Sequence, residues 1–453
     1  MMSTYIDDAG MSMSGGQAQV NNTTALTAYN PYDHDGAVAV PNVTAATFGF
    51  RRAEDGEHSF GCAYAIEEVL ARLDPDGTRH MKDIYARLTC PAVRACEASM
   101  KALEPGADWA FVFPSGMGAI TALVQVCCHH SIDGSPVRDV VIHSSPLYGG
   151  THALLHTFIQ RWGFTHVEVN FRDPKELRDA LESYGDRVGL VFCETPANPT
   201  LDMVDIRMVR EIMDEVFDGR RRPPLGVDNT FMGIFQHTLL MGADVAVYSA
   251  TKFLSGHSDL IAGFLVGKTG IMTVVKPFTG DAVEASLMNA VLGLRTIGGY
   301  TTSSDVAQRL VTHMQTYVLR MRRQAEVATV VANWLATHPK IAEVRFPTLF
   351  EGATKEVYLR QCTGPSAMIA FRLREDNKAA AFRFLDALTH CVRAVSLGFV
   401  RTLVDHPAQW THSDIAPGDQ RRMGITSGSL RLSIGIEEPE DLIADLDQAL
   451  DAI

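Results

Sequence analysis

The feature that most constrains this chain is a rhythm. From about residue 93, helical stretches alternate with short apolar runs closed by polar turns. AVRACEASMKALE reads as a helix, while WAFVFP, DVVIHSS, VGLVFCETP, PLGVDNTF and ADVAVYSATK read as strands. Runs this uniformly apolar have two buried faces, and the intervening helices supply the cover. The pattern predicts a mostly parallel α/β sheet, and in such sheets a ligand sits at the carboxyl ends of the strands. Near residue 303 the rhythm changes. A long helical stretch over 303–339 leads to AMIAFRLR and SLRLSIGIE, which read as strands, and EDLIADLDQALDAI closes the chain as a helix. We therefore expect an N-terminal arm over 1–90, a large domain over 91–303 and a smaller α/β C-terminal domain over 304–453. Within the arm, residues 1–50 read as irregular and 63–75 as a helix that DPDG ends.

Composition narrows the partners. The formal charge of −13 repels nucleic acid and anionic membrane at long range. The sequence contains no run of about 18 apolar residues, the length a spanning helix needs, and the N-terminus lacks the apolar segment of a secretory signal. Eight cysteines show no paired CxxC spacing, so reduced thiols are expected. Sixteen histidines include the adjacent His129 and His130, whose side chains diverge, and no metal site is expected.

Six polar motifs interest us, five of them directly after an apolar run. In YSATKFLSGHSD, Lys252 ends a strand among small polar residues; a confined lysine can lower its pKa and form an imine. Ser249 and Thr251 offer hydroxyls beside it. Asp228 ends PLGV, where a carboxylate can pair with a protonated ring nitrogen. In FPSGMGAI, Gly116 and Met117 open a helix whose free N–H groups suit an anion. Tyr148 precedes a Gly-Gly turn and can stack on a planar ring. Asn198 sits in the stiff turn of ETPANPT. Arg431 lies on the alternating strand SLRLSIGIE, and an arginine in a packed strand needs an anionic partner, for which a substrate carboxylate is the natural choice. Each residue alone also reads as a surface lysine, a helix cap, a core aromatic or a turn amide. Their order and shared strand-end placement are what point to one site.

Together these strings resemble the Cys/Met-metabolism pyridoxal-phosphate enzymes, the group of cystathionine γ-synthase, cystathionine γ-lyase and methionine γ-lyase. The resemblance runs from about residue 40 to the C-terminus and rests most on YSATK–GHSD, with SGM, YGGT and ETPANPT in the family order. It implies fold type I, the aspartate-aminotransferase-like fold, with pyridoxal 5′-phosphate as cofactor. It implies that Lys252 holds the cofactor as a Schiff base and takes the Cα proton, and that Asp228 pairs with the pyridine nitrogen. Tyr148 would stack on the ring and serve as acid or base. Gly116, Met117, Ser249 and Thr251 would hold the phosphate, Asn198 the phenolic oxygen or substrate, and Arg431 with Ser396 the substrate carboxylate. YARLTCP resembles a family string that reaches the phosphate of a neighbouring subunit, so Tyr85 and Arg87 are expected to act across a dimer contact. The same resemblance implies a homotetramer built as a dimer of dimers, a small amino-acid substrate and a cytoplasmic location.

Several positions depart from the family. Cys90 replaces an asparagine, Arg401 an acidic residue, Trp410 a smaller residue and Leu292 an arginine, and 52–82 is extra length. Gly150 stands where methionine γ-lyases carry cysteine, and Val395 where animal cystathionine γ-lyases carry glutamate. The expected activity is elimination or replacement at the γ-carbon of a γ-substituted L-amino acid, with a specialised substrate in view. The rivals are a β-eliminating C–S lyase and a non-catalytic oligomeric scaffold.

Overall fold

The computed structural model describes residues 20–64, 72–73, 82–130, 137–218, 220–275, 283–413 and 415–453. The apolar runs become the strands of a seven-stranded sheet: β1 Trp109–Phe113, β2 Val140–Ser144, β3 Thr165–Val169, β4 Val188–Glu194, β5 Leu225–Asp228, β6 Val245–Tyr248 and β7 Gly263–Gly267. Their order is β1-β7-β6-β5-β4-β2-β3. Strands β2 to β6 pair in parallel, whereas β7 runs against both neighbours. Because β7 reverses, β1 points the same way as β6, and the ends of β1, β2, β4, β5 and β6 share one edge. All seven residues of β4 are buried, as a strand covered on both faces requires. Two strands were not read from the sequence, β3 and β7. THVEV is mostly polar, and β3 sits at the sheet's border, where such a strand is tolerated.

A two-stranded ribbon follows, β8 Met272–Val275 with β9 Val283–Ser286. The C-terminal part builds a second sheet from β10 Ile341–Arg345, β11 Met368–Leu373, β12 Val392–Arg393, β13 Leu403–Asp405 and β14 Ser429–Ser433, in the order β10-β11-β14-β13-β12. AMIAFRLR and SLRLSIGIE thus lie side by side as β11 and β14. The fold is the mixed α/β, two-sheet architecture that the sequence rhythm called for.

Three local readings change. The stretch 303–339 is two helices, Ser304–Met314 and Tyr317–Thr337. At the break Thr316 leaves helical dihedrals, with φ −103° and ψ 5°, and the His313 carbonyl accepts the Thr316 N–H and the buried Arg320 guanidinium, at 3.2 and 3.0 Å. Residues 1–50 are not wholly irregular. Asn22–Thr27 is helical, started by a capping box in which the Asn21 side chain accepts the Thr24 N–H at 3.0 Å. Most of the helix read over 63–75 lies outside the described residues; a helix does span Ala53–Tyr64, within the extra length. No helix among the described residues is long and apolar enough to cross a membrane.

Candidate active site

A cleft of about 380 Å³ opens where the strand ends of the large sheet meet the second sheet and its loops. Gly116, Met117, Tyr148, Asn198 and Asp228 line it, as do Ser249, Thr251, Lys252, Ser396 and Arg431. Every candidate residue named from the sequence is therefore gathered there except Tyr85 and Arg87. Those two lie elsewhere on their own chain: Arg87 donates to the Thr296 carbonyl at 2.6 Å and covers the half-exposed Tyr85 ring.

The floor of the cleft belongs to the large sheet. Lys252 follows β6, and its Nζ donates to the Ser396 hydroxyl at 2.6 Å. Burial, and then the nearby Arg431 charge, lower its pKa to about 8, against the pull of Asp405. Asp228 ends β5. Burial raises its pKa to about 6, opposed by the Thr230 N–H and hydroxyl, which donate to Oδ1 at 2.9 and 2.6 Å. The Thr230 hydroxyl also accepts the Ser249 N–H at 2.9 Å, so Asp228 and the turn before Lys252 move as one unit.

The helix Gly116–Cys127 starts in the cleft. Its N-cap Ser115 uses its hydroxyl on the Gly118 N–H, at 2.9 Å, which leaves the first-turn amides of Gly116 and Met117 without helical acceptors. A Cβ on Gly116 would lie 2.9 Å from that of Ser249. Only glycine lets the helix end and the Ser249 hydroxyl approach so closely, and the result is a cup of N–H and O–H donors sized for a phosphate. The Thr251 hydroxyl is engaged with Ala262, donating to its carbonyl and accepting its N–H.

The opposite wall comes from the C-terminal part. Ser396 has a positive φ of 93°, a costly conformation for serine. Gly398 follows, where a Cβ would meet the Phe253 nitrogen at 2.4 Å, so the loop lies directly on the Lys252–Phe253 backbone. From below, Arg320 donates to the carbonyls of Phe253 and Leu254 at 2.8 and 3.0 Å. Lys252 is clamped from two sides.

Two buried acids were missed. Glu194 ends β4 in register with Asp228 on β5 and accepts the backbone N–H groups of Tyr148 and Asn198 at 2.7 and 2.9 Å. Burial, and then Asp228, push its carboxyl well above the usual range. Aligning the ends of VGLVFCE and PLGVD would have found it. Asp405, on β13, pairs in register with Arg431 on β14, and their side chains form a fully buried ion pair at 3.0 Å. Arg431 also donates to Asn198 Oδ1 at 2.6 Å and to the Ser396 carbonyl at 3.0 Å. The anionic partner that Arg431 needs is thus already inside the protein. A buried guanidinium must be neutralised with or without ligand.

The departures sort by place. Val395 lines the mouth of the cleft and is 55% exposed. A Cβ at Gly150 would lie 2.6 Å from the Tyr148 ring, so a cysteine there would displace the tyrosine. Arg401 turns away and donates to the His390 carbonyl at 3.2 and 2.8 Å. Trp410 packs on the core rather than the cleft, while its neighbour Thr411 reaches the cleft.

A strand-end lysine with a lowered pKa, a strand-end acid suited to a pyridine nitrogen and a donor cup for a phosphate fit pyridoxal 5′-phosphate, and they define a fold-type-I enzyme of that cofactor. The chain belongs to the Cys/Met metabolism PLP-dependent enzyme family, which it matches over residues 22–451. It is 33% identical to an L-methionine gamma-lyase of Pseudomonas putida over 425 residues, 94% of this chain and 95% of that protein. It is 32% identical to a cystathionine gamma-synthase of Mycobacterium bovis, covering 93% of this chain and 94% of the other. Among solved structures it resembles a cystathionine gamma-synthase of Xanthomonas oryzae pv. oryzae, with TM-score 0.79, 29% identity and coverage of 95% and 97%.

Proposed function

We propose that the protein catalyses elimination or replacement at the γ-carbon of a γ-substituted L-amino acid, a sulfur amino acid, a homoserine ester or a specialised analogue. The observation that carries this reading is the Lys252 amine, lowered to about 8 and held at 2.6 Å by Ser396, facing the cleft that Asp228 closes from below. Pyridoxal phosphate, when bound, draws electrons from the Cα of an amino acid attached to it. Lys252 takes the Cα proton and returns it at a neighbouring carbon, with the Ser396 hydroxyl holding the amine in place. Asp228 keeps the pyridine nitrogen protonated. Gly116, Met117 and Ser249 hold the phosphate, joined by Thr251 once its hydroxyl turns from Ala262, and Tyr148 covers the ring and passes a proton to or from the leaving group. Asn198 and Arg431 orient the substrate carboxylate, with Asp405 setting how strongly Arg431 attracts it.

Tyr85 and Arg87 belong to the same proposal as residues that complete a neighbouring subunit's cleft. Their solvent-facing position on their own chain supports this, and so does the family string that carries them. The segment 1–90 then supplies the subunit contact, 91–303 the cofactor site and 304–453 the substrate wall, in a homotetramer. A cytoplasmic location accords with the eight cysteines, all of them unpaired thiols.

The test is product analysis with the cofactor-loaded enzyme. A panel of γ- and β-substituted amino acids is offered with and without thiol, and the released 2-oxo acid is identified. A four-carbon 2-oxo acid, or a thiol adduct in its place, is expected. Pyruvate from β-substituted substrates alone would replace the proposal with β-elimination. An enzyme that stays colourless with added cofactor would point to a scaffold.

A further inference from the structure

Four histidines and a glutamate meet at the β2–β3 border, beyond the residues that the cleft uses. In the parallel register His143 on β2 lies opposite Glu168 on β3, and His166, two residues before Glu168, shares its face. His152 and His156 come from the segment after Tyr148, which begins as the helix Gly149–Ala153 and widens to a π-turn over Leu154–Phe158. The His152 and His156 rings stack at 3.8 Å, and the His156 and His166 rings lie 4.0 Å apart. Among the described residues, two overlapping sets bring their donor atoms within 4.8 Å of one another: His143, His156 and His166; and His152, His156 and Glu168.

The chemistry of these donors is specific. His143 Nδ1 lies 3.0 Å from the Ser144 carbonyl. A carbonyl only accepts, so this nitrogen carries the proton and Nε2 presents a lone pair. That is the outer-sphere arrangement that orients metal-bound histidines. His143 Nε2 faces His166 Nδ1 at 3.3 Å, close to the edge of a tetrahedron whose corners lie about 2.0 Å from a central zinc. His156 Nε2 is buried and makes no hydrogen bond, with a Glu168 oxygen 3.6 Å away.

We propose that this cluster is a binding site for a divalent first-row transition ion, zinc foremost, with His143, His156 and His166 as ligands. Imidazole nitrogens suit zinc and its neighbours and disfavour magnesium and calcium. The ion ties the segment that follows Tyr148 to the sheet border, and so steadies the tyrosine that covers the cofactor.

The experiment uses the full-length, cofactor-loaded enzyme, freed of metal by chelation and titrated with zinc, then with cobalt as a spectroscopic probe. One equivalent of zinc per chain is expected, together with the intense visible bands of four-coordinate cobalt and no thiolate charge transfer. His156→Gln and His166→Gln, both at partly exposed positions outside the cleft, should lose that equivalent while keeping the cofactor absorbance. Zinc should raise Tm in the wild type and leave it unchanged in either variant. Equal zinc binding by the wild type and His156→Gln, or thiolate bands with cobalt, would overturn the site. Zinc binding without any change in the visible circular dichroism of the bound cofactor would overturn its link to Tyr148.

Discussion

The floor and the wall of the cleft are built on different principles. The floor consists of strand ends from one sheet, tied by short bonds such as Thr230 to Asp228 and Ser249 to Thr230. The wall consists of a strained loop at Ser396, a turn at Thr411 that follows β13 and one strand residue, Arg431. Neighbouring parallel strands hold their terminal residues at fixed spacing, so the floor can only vary by side-chain replacement. A loop can change its path, and departures from the family such as Val395 lie there. On the proposed reading, the chemistry at Cα is invested in the rigid region and the choice of substrate in the adjustable one.

The sharpest break of this contrast removes the floor's amine. Lys252→Ala should cut kcat/KM by roughly 10²- to 10⁴-fold, the scale of a positioned proton-transfer group. Release of 2-oxo acid measures it, and near-unchanged Tm would show that the wall stands without the amine.

Asp405→Asn attacks the wall instead. It leaves the buried Arg431 unpaired, and such a loss costs about 3–5 kcal/mol. Denaturant unfolding of the ligand-free enzyme should show this deficit. A substrate carboxylate then becomes the sole strong anion for Arg431, so KM should fall while kcat changes less. An unaltered KM would mean that Arg431 does not meet the carboxylate.

The pH response of the floor follows from Lys252. Its pKa is lowered from 10.5 to about 8, so the neutral, nucleophilic amine gains as pH rises through 8. The rate at which apoenzyme captures pyridoxal phosphate should rise about tenfold per pH unit below 8 and level off above it. A rise that continues toward pH 10 would mean that the floor leaves its lysine unperturbed.

The smallest effect lies outside both regions. Cys90 is the N-cap of Pro91–Leu103 and makes no side-chain cap bond. Cys90→Asn supplies one and should add about 1 kcal/mol of stability with kcat unchanged.

The floor was legible in the sequence because apolar runs of similar length, aligned at their ends, bring the next polar residue of each to one edge. Lys252, Asp228, Tyr148, Asn198 and the Gly116–Met117 turn all follow that rule. Glu194 obeys it too, ending VGLVFCE as Asp228 ends PLGVD. The histidine cluster was legible only in part: His152 and His156 stand four apart, a spacing that puts two ligands on one helix face, but His143 and His166 join them only through strand pairing.

By itself the sequence determined the layered α/β architecture and the identity of the floor, because strand burial and strand-end placement are periodic and local. Tertiary structure alone decided that Asp405 neutralises Arg431, that Arg401 turns outward, that Ser396 holds Lys252 and that the Tyr148 ring leaves no room for a side chain at Gly150. Each of these depends on register between distant strands or on how one loop lies on another backbone, and no spacing along the chain encodes such a distance.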